Sequence, residues 1–90
     1  MKISSKTLNV EIEIHELTQG QAEQFTDLMT DKGSLSAVKY EAEYVKSAGE
    51  VGWLNIPPSW FDGQISRKAT HWIFVKLVDA WSEANKLPND

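Results

Sequence analysis

The chain has 90 residues, 41% of them hydrophobic, and a formal net charge of −4 from nine basic and thirteen acidic side chains. A single domain of this size buries only about 60–65% of the surface it exposes when unfolded, and without cysteine it has neither disulfides nor thiolate zinc sites to reinforce its core. One arginine and no basic cluster longer than Arg67-Lys68 argue against nucleic acid, and no apolar run approaches the roughly 20 residues that span a bilayer.

In chain order, the first clear element is residues 7–15. Leu8, Val10, Ile12 and Ile14 alternate with Asn9, Glu11, Glu13 and His15, the period-two pattern of a half-buried strand. One strand cannot satisfy its own backbone, so its partner is expected in residues 51–56, in the first residues around Ile3, or in another chain. Thr18 followed by Gln21 fits a capping box and opens a helix over residues 18–31, with Ala22, Phe25, Leu28 and Met29 on one face. A turn at Lys32-Gly33 leads to a second helix over 34–48, capped by Ser34, striped by Leu35, Val38, Ala42 and Val45, and stopped by Gly49. Pro57-Pro58 then breaks the pattern, and Pro58 to Asp62 reads as one helical turn ended by Gly63.

The longest element is a helix over 64–86. Its apolar arc holds Ala69, Ile73, Phe74, Leu77, Val78, Ala80, Trp81 and Ala84. Trp72 and Val75 fall outside that arc, so the middle of the helix is apolar nearly all round, as in a helix at the centre of a fold or against a second protein. The rival is a buried strand over 72–78, which the Ala, Lys and Glu in the flanks disfavour. The expected fold is α+β and mostly α: a strand over 7–15, with 51–56 among its candidate partners, packed with three main helices over 18–31, 34–48 and 64–86. Leu87-Pro88-Asn89-Asp90 closes the chain as a polar stop.

No catalytic motif is present. His15 and Glu13 make a His–carboxylate pair with no nucleophile beside it, and His71 reads as a surface helix residue among the cations Arg67 and Lys68. No serine sits in a Gly-flanked elbow, and the five glycines stand singly at turns rather than in a phosphate loop. Two histidines without cysteine give no metal site, and no cofactor is expected. The unusual feature is tryptophan: Trp53, Trp60, Trp72 and Trp81, with Phe61 beside Trp60. Indoles are enriched at binding hot spots because they pair a large apolar body with a polar N–H. Trp81 reads as core. Trp53, Trp60 and Phe61 around the proline break, with Trp72 and Val75 outside the helical arc, are the candidate partner-binding residues.

The run Ala48-Gly49-Glu50-Val51-Gly52-Trp53-Leu54, then Ile56-Pro57 and Trp60, then a helix carrying Trp72 and Trp81 and ending Leu87-Pro88-Asn89, resembles the small tail assembly proteins of bacteriophages. The likeness covers residues 45–90, and the front of the chain in general shape. It implies a non-enzymatic tail assembly chaperone that coats the apolar, helical tape-measure protein while tail-tube subunits polymerise, and that is absent from the finished particle. By that resemblance Trp53 and Trp60 lie near the partner surface, and Trp72 and Trp81 hold the last helix in place. The competing expectation is a small acidic regulator or inhibitor of a host protein. Both place the chain in the host cytoplasm, since no apolar run follows the N-terminal lysines as in a signal peptide, with a protein partner or a second copy of itself and no nucleic acid or membrane.

Overall fold

The computed structural model describes residues 1–88, and Asn89 and Asp90, with the end of the expected polar stop, lie outside the described residues. In chain order the elements are β1 (Lys2–Ser5), β2 (Val10–Ile14), α1 (Gln19–Met29), α2 (Ala37–Glu50), β3 (Leu54–Asn55), α3 (Pro58–Phe61) and α4 (Arg67–Ala84). The protein is α+β, and helices make up most of its regular structure.

The alternating segment forms the centre of a three-stranded antiparallel sheet of order β1-β2-β3. Val10, Ile12 and Ile14 are buried under the helices, while Glu11 is exposed on the far face. The strand is shorter than the alternation suggests, because Leu8 belongs to the turn rather than to the ladder. Both expected intrachain partners are used. Ile3 in β1 stands opposite Ile12, and Leu54 in β3 opposite Ile14. The ladder is extended at one end by His15, whose N–H donates to the Trp53 carbonyl at 2.8 Å. At β1, the Met1 ammonium donates to the Ile14 carbonyl at 2.7 Å.

The capping box forms as the sequence indicates: the Thr18 hydroxyl accepts from Gln21 N–H, and the Gln21 side chain accepts from Thr18 N–H. The same Gln21 amide donates to the Val51 carbonyl at 3.1 Å, tying the start of α1 to the end of α2. α2 differs from expectation in phase. Its N-cap is Ser36 rather than Ser34, and Glu41, Tyr44, Val45, Ser47 and Ala48 are buried while Val38 is exposed. The reason is bulk: turning Tyr44 inward places its ring 4.7 Å from Phe25 and 5.0 Å from Phe74, a burial that Leu35 and Val38 cannot match. Nor does Gly49 stop the helix. It lies inside α2, where a Cβ would stand 3.0 Å from Ile56 Cδ1, and the backbone turns away at Gly52, with φ of +81°.

α3 is the single turn expected after the proline break, followed by Gly63 at φ +69°. The rival strand over 72–78 is overturned: those residues lie in the middle of α4. Ala69, Ile73 and Leu77 on that helix are essentially without solvent exposure and pack over β2 and α2. Among the described residues no helix is long and apolar enough to cross a membrane.

Candidate protein-binding surface

α4 begins where Ser66 accepts from Ala69 N–H at 3.1 Å, and it runs for 18 residues. Because the helix is apolar nearly all round, seating Ile73 and Leu77 in the core leaves other apolar residues pointing away. Trp72 is half-buried, Val75 is 39% exposed and Val78 is 40% exposed. Opposite Trp72 and Val75 stands Leu8, carried on the β1–β2 turn, where Asn9 adopts the left-handed region at φ +54°. Leu8, Trp72 and Val75 thus floor an open groove of about 550 Å³.

The rim of this groove is basic: Arg67, Lys68, His71 and Lys76 line it, and no carboxylate does. Lys76 Nζ lies 5.8 Å from the Trp72 ring centroid, an arrangement worth about 0.5–1 kcal/mol at an exposed site. Among the described residues no carboxylate reaches Lys68 or Lys76 within salt-bridge distance.

A second, larger groove of about 610 Å³ lies further along α4, between the N-terminal strand and the last turns of the helix. Its apolar floor includes Ile3, Leu17 and Ala80, and its rim carries Glu16, Asp79 and Glu83. Lys76 borders both grooves, so the charge along this side of the molecule changes sign near the middle of α4.

Arg67 and His71 are held from beneath by Glu41. Its Oε1 accepts from Arg67 at 2.9 Å and lies 2.8 Å from His71 Nδ1. Glu41 is only 8% exposed, so the bridge fixes α4 against α2 and presents the outer parts of the Arg67 and His71 side chains at the groove. Burial pushes the Glu41 carboxyl up. Hydrogen bonds from His71 and Arg67, with the charges of both, outweigh burial and leave it below the usual carboxylate range. His71 is the surface helix residue expected beside Arg67 and Lys68, and it gains in addition an oxygen partner from a helix 30 residues earlier in the chain.

Of the five candidate partner residues, Trp53 is corrected. It is 1% exposed and packs edge-on against Phe25 at 5.3 Å and Trp81 at 6.1 Å. A tryptophan beside a glycine turn resembles a surface loop residue, but Trp53 leads directly into β3 and its carbonyl is part of the sheet. Trp60 is half-buried and packs edge-to-face with Phe61 at 5.5 Å, and Phe61 is 65% exposed. Trp60 and Phe61 sit on α3, and Trp72 and Val75 on α4. Leu8 lies between the two elements, lining both the α4 groove and a cleft bordered by Pro57 and Ser59. Leu8, Lys68 and Lys76 were not singled out by sequence reasoning. The signal that could have found the two lysines is the i, i+4, i+8 row of Lys68, Trp72 and Lys76 on a helix already too apolar for its core. His15 Nδ1 is 3.9 Å from Glu13, an electrostatic contact on the solvent side and too long for a hydrogen bond.

Comparison with protein-family models, with curated proteins and with solved structures finds no match to this chain.

Proposed function

We propose that this protein is a non-enzymatic assembly factor of the phage tail-chaperone kind, binding an amphipathic helical segment of an apolar client such as a tape-measure protein in the host cytoplasm. The observation that carries this reading is the pair Trp72 and Val75, a half-buried indole and a largely uncovered valine that floor an open groove together with Leu8. Helix-in-groove recognition reads such a floor through apolar anchors spaced three and four residues apart. The chain's net charge of −4 would keep the loaded complex dispersed. The resemblance of residues 45–90 to small tail assembly proteins supports the same reading.

The test is co-expression with a tape-measure protein. The soluble fraction of the client should rise with the wild-type chain and fall back with Val75→Asp, while the variant keeps the wild-type melting temperature. An unchanged soluble fraction, with no co-purification of the client, would sink the reading.

A further inference from the structure

The chain as a whole is acidic, yet the groove floored by Leu8, Trp72 and Val75 is rimmed only by cationic or cationisable side chains. We infer that this groove binds an acidic amphipathic helix, whose apolar positions seat against Trp72 and Val75 and whose flanking Asp or Glu side chains meet Lys68 and Lys76. The inference deepens the proposed function by naming the chemistry of the client segment, and it rests on that reading.

Charge complementarity selects this occupant. Arg67 and His71 already share Glu41, which leaves Lys68 and Lys76 as the two rim cations that no described carboxylate meets. They stand eight residues apart on α4, so about 12 Å of helix separates them, with Trp72 midway. Two turns of a partner helix cover that length, and apolar residues at its i, i+3 or i+4, and i+7 positions present three anchors to the floor. Acidic residues bordering that stripe then fall toward the rim on either side. A basic segment would bring like charges together without counter-charge in the groove. The acidic rim of the neighbouring groove, at Glu16, Asp79 and Glu83, gives the opposite preference a separate place on the molecule.

The experiment measures binding of three labelled 18-residue amphipathic peptides by fluorescence anisotropy, using the full chain. All share one Leu stripe, and the positions flanking it are Glu, Gln or Lys. The Glu peptide should bind at least about tenfold more tightly than the Gln peptide, and raising salt should erode that advantage. The doubly reversed variant Lys68→Glu, Lys76→Glu should prefer the Lys peptide, and circular dichroism melting should show that it stays folded. A Glu peptide with its Leu stripe changed to Ser should bind at least tenfold more weakly. Equal binding of the Glu and Gln peptides, an unaltered preference in the reversed variant, or full binding by the Ser-striped peptide would each overturn the inference. A concentration-dependent dimer that dissociates on Lys68→Glu would assign the groove to a second copy of the chain and overturn it too. Peptide discrimination without any rescue of client solubility would instead place the failure in the tape-measure reading. Rescue without discrimination would place it in the charge assignment.

Discussion

The two sides of α4 use the same kinds of residue to opposite ends. Beneath the helix, Phe25, Tyr44, Phe74, Trp53 and Trp81 meet one another at centroid separations of 4.7–6.4 Å, most of them edge to face. On the other side Trp72 has a lysine over its ring and an open groove beside it. An indole in the first setting fills volume that nothing else in a small domain can fill. An indole in the second keeps a face available. Residue type alone therefore says nothing about role here, and the substitutions that separate the two settings are those that change one side without touching the other.

The largest effect is expected beneath the helix. Trp53→Ala should cost about 3–5 kcal/mol, because a buried indole leaves a cavity that three neighbouring aromatic rings cannot collapse into. At about 4–8 °C per kcal/mol for a domain of this size, thermal unfolding should fall by more than ten degrees. A loss below about 1 kcal/mol would show that Trp53 is not the keystone its burial suggests.

Next is the bridge that joins the two sides. Glu41→Gln should cost about 1–2 kcal/mol at pH 7, moderated because Arg67 and His71 are half-exposed and regain water. The carboxyl is lowered in the folded protein, so its contribution is present above the ordinary carboxylate pKa and is lost as pH falls through the folded value. Urea unfolding of wild type and variant should therefore converge as the pH is taken below the folded value of the carboxyl. A difference that persists there would mean that the carboxylate charge is not what binds α2 to α4.

On the outer side the balance reverses. Trp72→Ala should cost less stability than Trp53→Ala, its indole being only half-buried, yet under the proposed function it should weaken binding of the acidic helix by about 2 kcal/mol or more, as hot-spot tryptophans do. Calorimetry of folding and of binding on the same sample sharpens the contrast with Trp53. The smallest effect belongs to α3: Phe61→Ser should stay within about 0.5 kcal/mol, since the ring is mostly in solvent. A change in Trp60 emission would still report the lost edge-to-face neighbour.

How much of this was legible follows from how local each signal is. The alternation of Val10, Ile12 and Ile14, the Thr18–Gln21 capping box and the apolar excess of α4 are short-range patterns, and each has its structural counterpart. β1 was legible only as a place where a partner strand could lie, because Lys2–Ser5 offers one apolar residue and the turn after it lacks an Asn-Gly or Asp-Gly pair. The phase of α2 was misread because two stripes overlap on that helix, and only the tertiary position of Phe25 and Phe74 selects the one carrying Tyr44. Glu41 could not be found at all from spacing. Its partners lie 26 and 30 residues away, and a lone glutamate on a helix has every appearance of a solvated charge.

One wall of the α4 groove is not on the helix. Leu8 hangs from a turn in which Leu8 N–H donates to the Ser5 hydroxyl and Asn9 N–H to the Lys6 carbonyl, and Asn9 supplies the positive backbone torsion that closes it. A β-branched residue at position 9 resists that torsion and would disturb the placement of the leucine. The width of the mouth thus depends on a residue outside the groove lining, so editing a hairpin bend would reshape the groove while every lining residue kept its identity.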